Sequence, residues 1–285
     1  MKHMPNLKNF SKEELIDMIK LGIDIKKNPE KYCNKLKNKT MAMWFEKSSL
    51  RTRASFEAGM TQLGGHAIYL DTSTTHKKAN IEDEIKCLSK YADIIIARVF
   101  EHDTIKQMQE ASKVPIINAL CDTYHPCQAL ADIMTLFETL KDPYKATIAY
   151  VGDGNNVCNS LIIASKKLGI KINVSTPQNL KPDIVPDFWI KNPVEAVKEA
   201  DIVYTDTWMS MGEEDKKKEK TAKLKNYQVN KKLIGNKYFM HCLPAIRGQE
   251  VTDEVIDSKK SLVFEQAENR LHIQKAIVLK LLDVV

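Results

Sequence analysis

The chain has 285 residues, 43% of them hydrophobic and 28% charged, enough for two globular domains that each bury a core. Its formal net charge of +6 invites a nucleic-acid reading, but the lysines are mixed with acids, as in EEDKKKEKTAKLK, which describes a solvated surface and argues against nucleic acid as a partner. No apolar run approaches bilayer length, the start MKHMPNLKNFSKEEL lacks a signal-type hydrophobic stretch, and six scattered cysteines form no C-x-x-C pair or framework, so the expectation is a cytoplasmic protein with no membrane contact.

In chain order, Ser11 and Glu14 form a capping box that opens a helix to about Leu21. Met41 to Phe45 reads as a buried strand. Phe56, Met60 and Leu63 then recur at helical spacing, which places a helix start near Thr52. A short strand from His66 to Leu70, a polar segment DTSTTHKKA and a helix from Asn80 to about Tyr91 follow. Asp93 to Arg98 is a second buried strand, followed by a helix near 103–112, a strand near 114–118 and a long helix from about Pro126 to Leu140. A second alternating series starts with the strand Ala146 to Val151, which enters Gly152-Asp153-Gly154-Asn155-Asn156. It continues with a helix to about Leu168, a strand at 171–175, a helix opened by Asn192-Pro193 and a strand at 201–205. A lysine-rich stretch, strands near 238–242 and 261–264 and a long final helix complete it. Strand–helix alternation in two series predicts an α/β fold of two domains, each a parallel sheet flanked by helices, with the active site in the cleft between them.

The turn FEKSSLRTR, from Phe45 to Arg53, carries the first chemistry. Backbone N–H groups at a helix start favour an anion, and Ser49, Thr52, Arg51 and Arg53 add hydroxyls and guanidinium forks. Of 43 cationic residues only Arg51, Arg53, Arg98, Arg247 and Arg270 are arginine, so where arginine persists its bidentate geometry is a reason for it. The other strand ends offer Arg98, His125 with Gln128, Asn155 with Asn156, Asp206 with Ser210 and Met211, and Cys242 with Leu243; Arg270 lies near the start of the last helix. GDGNNV departs from a dinucleotide loop, because Val157 stands where glycine is needed and no acid ends the next strand. Cys121, His125 and Cys127 lack a fourth zinc ligand. His241 and Cys242, as neighbours on a strand, are expected on opposite faces and so not as nucleophile and base.

Taken together, Ser49-Leu50-Arg51-Thr52-Arg53, HPCQALAD, DTWMSMG, HCLPAIRGQEVTDEVID and AENRLHIQKAI resemble the signatures of the aspartate/ornithine carbamoyltransferase family, in order and over nearly the whole chain. The resemblance implies transfer of the carbamoyl group of carbamoyl phosphate to the δ-amine of L-ornithine, giving L-citrulline and phosphate, in arginine biosynthesis or breakdown. Carbamoyl phosphate is then expected on Ser49, Leu50 (main chain), Arg51, Thr52, Arg98, His125, Gln128, Cys242, Leu243 and Arg270. Ornithine is expected on Asn156, Asp206, Ser210 and Met211 (main chain). The catalytic set is Arg51, Arg98, His125, Cys242 and Arg270, with no metal and no cofactor. The implied domains are a carbamoyl-phosphate half at 1–133, with about 270–285 packed back on it, and an ornithine half at 134–269. A cytoplasmic homotrimer is implied as well. The chain departs from the family pattern at Thr74 and Ala79, where relatives carry Gln and Glu reaching a neighbouring subunit. It departs too in a shortened Lys181–Asn192 span, and at Ile246.

Overall fold

The structure is a computed structural model that describes residues 1–72, 80–209 and 217–285. It separates into two compact units, residues Met1–Met134 with Asn269–Val285, and residues Thr135–Glu268.

In the first unit, the apolar run after Thr40 becomes β1 (Thr40–Phe45), with five of its six residues buried, and β3 (Ile94–Arg98) is buried throughout. With β2 (His66–Asp71) and β4 (Ile116–Leu120) they form a parallel sheet of order β2-β1-β3-β4, in which Phe45 lies opposite both Asp71 and Arg98. Continuous apolar runs are what a sheet covered on both faces requires. The covering helices are α1 (Lys12–Lys27), α2 (Leu50–Gln62), α3 (Ile81–Leu88), α4 (His102–Ala111) and α5 (Pro126–Thr139).

α1 begins on the expected capping box but runs six residues past Leu21. Gly22 does not end it. A Cβ at that position would stand 3.1 Å from Met134 Sδ and 3.4 Å from Ile273, so the glycine allows close helix packing within this unit, and Ile25 continues the buried stripe.

The second unit carries β5 (Thr147–Val151), β6 (Lys171–Ser175), β7 (Phe188–Trp189), β8 (Ile202–Tyr204) and β9 (Tyr238–Met240). They form a parallel sheet of order β7-β6-β5-β8-β9. Its helices are α6 (Asn156–Leu168), α7 (Pro193–Val197), α8 (Lys217–Leu224), α9 (Lys231–Ile234) and α10 (Asp253–Ile256). Val151, Val203, Trp208, Tyr227 and Phe239 centre its core. The strand expected at 261–264 is a correction. Only Ser261 makes a bridge, to Phe239, and α11 (Val263–Leu281) starts two residues later, so Arg270 is the eighth residue of that helix and not near its start.

Strand order locates ligand sites. In each sheet the chain moves to one side of its first strand and then crosses to the other, between β1 and β3 and between β5 and β8. Ligands of open α/β sheets bind beyond the strand ends at such switch points. The FEKSSLRTR turn follows β1, and the GDGNN loop follows β5. Among the described residues no helix is long and apolar enough to cross a membrane.

Candidate active-site residues

Ser49 is the N-cap of α2, with its hydroxyl accepting from Thr52 N at 3.3 Å. The side chain of Leu50 is 80% exposed, so at this position only the main chain is available to an anion. Arg51 and Arg53 part company because residues two apart on a helix face different ways. Arg53 donates to Glu57 at 3.0 Å and lies 3.8 Å over the Tyr69 ring, which commits it to structure.

Thr52 Oγ1 accepts from Arg270 Nη2 at 3.0 Å and from Arg98 Nη1 at 3.4 Å. Arg270 Nη1 donates to Gln128 Oε1 at 2.8 Å, and Gln128 Nε2 donates to Asp132 Oδ1 at 2.8 Å. One buried network therefore joins α2, β3, α5 and α11. Burial first, then repulsion from Arg270 and Arg51, pushes the Arg98 pKa down to about 10, so it remains protonated at neutral pH. His125 is held well below the usual range by burial and by Arg270, Arg98 and Lys47, which leaves a neutral imidazole able to donate one hydrogen bond.

Sequence reasoning passed over Lys47. It is 8% exposed, sits 4.7 Å over the Phe100 ring, and has its pKa lowered by burial and then by Arg98. Its place inside FEKSSLRTR was the available signal. Lys47, Arg51, Arg98 and Arg270 act on one another's charge, and cations gathered in this way suit a multiply charged anion.

In the second unit the GDGNN loop is built around Asn155, which the sequence offers beside Asn156 at the strand end without a substrate contact. Asn155 caps α6 by accepting from Val157 N and Cys158 N, and donates from Nδ2 to Asp206 Oδ2 at 2.7 Å. The hydroxyl of Tyr150, whose pKa burial pushes up, donates to Asp153 O at 2.9 Å. Asp206 is 5% exposed and accepts from Thr207 N at 2.7 Å and from Cys242 Sγ at 2.9 Å. Asn156 is half-buried at the first position of α6. Ser210 and Met211, like Thr74 and Ala79, lie outside the described residues.

The geometry of His241 and Cys242 corrects the expectation of opposite faces. β9 stops at Met240, and Leu243 turns back with φ 56° to donate its N–H to His241 Nδ1 at 2.9 Å. His241, Cys242 and Asp206 consequently offer ligand atoms within 4.8 Å of one another. The imidazole is already engaged, however. Nδ1 accepts from Leu243, so Nε2 carries the proton and faces Glu250 at 3.3 Å. The thiol hydrogen bonds to Asp206, and the nucleophile–base reading fails on that geometry rather than on strand alternation.

Cys121 and Cys127 are buried thiols whose pKa burial raises, to about 12 for Cys127, and Asn118 and Tyr124 occupy their sulfurs. The space a dinucleotide would need beside Gly154 holds the chain at Leu180–Pro182. A Cβ on Gly154 would come within 2.3 Å of Pro182 N and 2.5 Å of Leu180 O. Because both are backbone atoms, Gly154→Ala is expected to cost about 2 kcal/mol or more in urea unfolding. An unchanged midpoint and slope would mean the 180–182 segment yields freely.

Two family profiles match this chain. That of the aspartate/ornithine carbamoyltransferase carbamoyl-P binding domain covers residues 2–138, and that of the Asp/Orn binding domain covers residues 144–281. The chain is 46% identical to ornithine carbamoyltransferase of Archaeoglobus fulgidus, over 99% of this chain and 98% of that protein. It is 43% identical to a catabolic ornithine carbamoyltransferase of Halobacterium salinarum, over 98% of each. The structure superposes on ornithine carbamoyltransferase from Pyrococcus furiosus with a TM-score of 0.92 at 41% identity, covering 98% of this chain and 96% of that one.

Proposed function

The chain belongs to the aspartate/ornithine carbamoyltransferase family, and from that premise we propose that it is an enzyme transferring the carbamoyl group of carbamoyl phosphate to L-ornithine, forming L-citrulline and phosphate in arginine metabolism. The observation that carries the reading is the convergence of Arg98 and Arg270 on Thr52 Oγ1 at the start of α2, beside a neutral His125.

The first unit, including Asn269–Val285, is the carbamoyl-phosphate half. Ser49, the Leu50 main chain, Arg51, Thr52 and Arg98 hold the phosphate, where helix N–H groups and guanidinium forks suit its oxygens. His125 and Arg270 donate to the carbamoyl oxygen, and Gln128 faces the carbamoyl nitrogen. The second unit is the ornithine half. Asp206 receives the α-ammonium group, assisted by Asn156, while Ser210 and the Met211 main chain complete recognition of the amino-acid head. Cys242 and Leu243 line the meeting point of the substrates, the thiol orienting the amine.

The neutral δ-amine attacks the carbamoyl carbon to give a tetrahedral oxyanion. Arg98, His125 and Arg270 stabilise the charge that gathers on oxygen. The C–O bond to phosphate then breaks, and the amine's proton leaves on the phosphate. Arg51 and Arg98 stabilise the phosphate as its charge grows, so catalysis rests on preorganised cations and orientation. No metal or organic cofactor enters this scheme. The working form is a homotrimer in the cytoplasm, a setting that agrees with the absence of disulfides among the six cysteines.

Ornithine is favoured over putrescine because a buried acid beside an amide-rich helix start suits an amino-acid head. It is favoured over aspartate because a second carboxylate would call for more cations near Asp206. The test is product formation from carbamoyl phosphate with ornithine, putrescine or aspartate supplied separately. Citrulline from ornithine alone is expected, and turnover with putrescine alone would overturn the acceptor assignment.

A further inference from the structure

Asp132 takes part in the anion-site network without being among the residues proposed to touch substrate. It lies four residues after Gln128 on α5, so the two share a helix face. Both are buried, at 0% and 1% exposure, and Arg270 at 6% closes the other side of the amide. Gln128 Nε2 donates to Asp132 Oδ1 at 2.8 Å, while Gln128 Oε1 accepts from Arg270 Nη1 at 2.8 Å. The opposite amide orientation would set Nε2 against the Arg270 donors and Oε1 against the Asp132 oxygen. Both hydrogen bonds would be lost in a place where water cannot replace them.

We propose that Asp132 is a positioning residue that locks the Gln128 carbonyl oxygen toward the acyl-phosphate site and thereby selects a substrate whose acyl carbon bears an amino group. The inference rests on the carbamoyl-phosphate reading of this unit. A carbonyl oxygen has two lone pairs. Arg270 takes one, and the other accepts from a carbamoyl N–H. Acetyl phosphate has a methyl group there and leaves the oxygen unmatched. Sites built around such a hydrogen bond reject analogues that lack it far more strongly than shape alone allows.

The experiment is a double-mutant cycle with acetyl phosphate as competitive inhibitor. Asp132→Leu removes the acceptor at similar volume and is expected to raise KM for carbamoyl phosphate about tenfold. It should lower the ratio of acetyl phosphate Ki to carbamoyl phosphate KM by a similar factor, with a smaller effect on kcat. Asp132→Asn keeps an oxygen facing Gln128 Nε2 and should restore most of that ratio. In a Gln128→Ala background Asp132→Leu should change KM and the ratio less than about twofold, because residues that act through one another are not additive.

Equal losses in both backgrounds, or an unchanged ratio in the single variant, would reduce Asp132 to a structural role and overturn the inference. Asp132→Ala carries the same test if the leucine variant does not fold. A wild-type protein that neither forms a carbamoylated product nor gains thermal stability from carbamoyl phosphate would instead overturn the parent reading.

Discussion

Arg51→Ala is expected to lower kcat/KM for citrulline formation by about 10³-fold while leaving the protein as stable as the wild type, or slightly more so. Loss of a preorganised donor aimed at developing charge removes stabilisation that the transition state alone receives in full. The stability side follows from Arg98, which Arg51 helps to depress to about 10 by repulsion. Arg51 is only half-buried, so its removal opens no deep cavity. Arg51→Lys should recover little, since one ammonium cannot reproduce a planar fork. Thermal melts with and without carbamoyl phosphate, alongside the activity assay, check both halves. Wild-type turnover in the alanine variant would remove the anion-site assignment.

Asp206→Ala is expected to raise KM for ornithine on the order of 10²-fold or more, the range found when one partner of a buried charged pair is truncated. Carbamoyl phosphate should still stabilise this variant against heat by the wild-type amount, because the contacts proposed for its phosphate all belong to the first unit. The variant also removes the carboxylate that accepts from Asn155 Nδ2 and the Cys242 thiol, which adds about 1–2 kcal/mol of destabilisation. A selective loss of carbamoyl phosphate binding would instead overturn the division of labour between the units.

Both residues can be proposed from the sequence alone, and the reason differs for each. Arg51 stands out because arginine is scarce in a lysine-rich chain, and Asp206 because it ends an apolar strand. The parallel sheets were legible because doubly covered strands must read as apolar runs. Helix ends were less so. Gly22 resembles a terminator in sequence, and only its 3.1 Å approach to Met134 gives it another meaning. Leu262, Val263 and Phe264 resemble a strand, but Val263 is buried and Phe264 is 70% exposed, as the first turn of α11 dictates. Asp132 was illegible on charge alone, since an acid in a helix is usually solvated. Its spacing from Gln128 was the sign that mattered. Asn155 is offered by the sequence at a strand end, but its cap of α6 and its bond to Asp206 belong to the folded loop.

Thr52 and Arg270 touch across 218 residues of chain, and Gln128 and Arg270 across 142. A ribosome that has delivered residues 1–134 has therefore made every strand of the first unit, but not Arg270 or the α11 residues, such as Ile273, that fill the space beside Gly22. At about 5–20 residues per second, roughly 7–30 seconds pass before those residues exist. During that interval the nascent unit exposes apolar surface and a cluster of cations with nothing to organise it. Such long-range closure is slow to fold and open to misassembly. Chaperone demand should therefore fall on the early half of this chain, although its sheet is complete first.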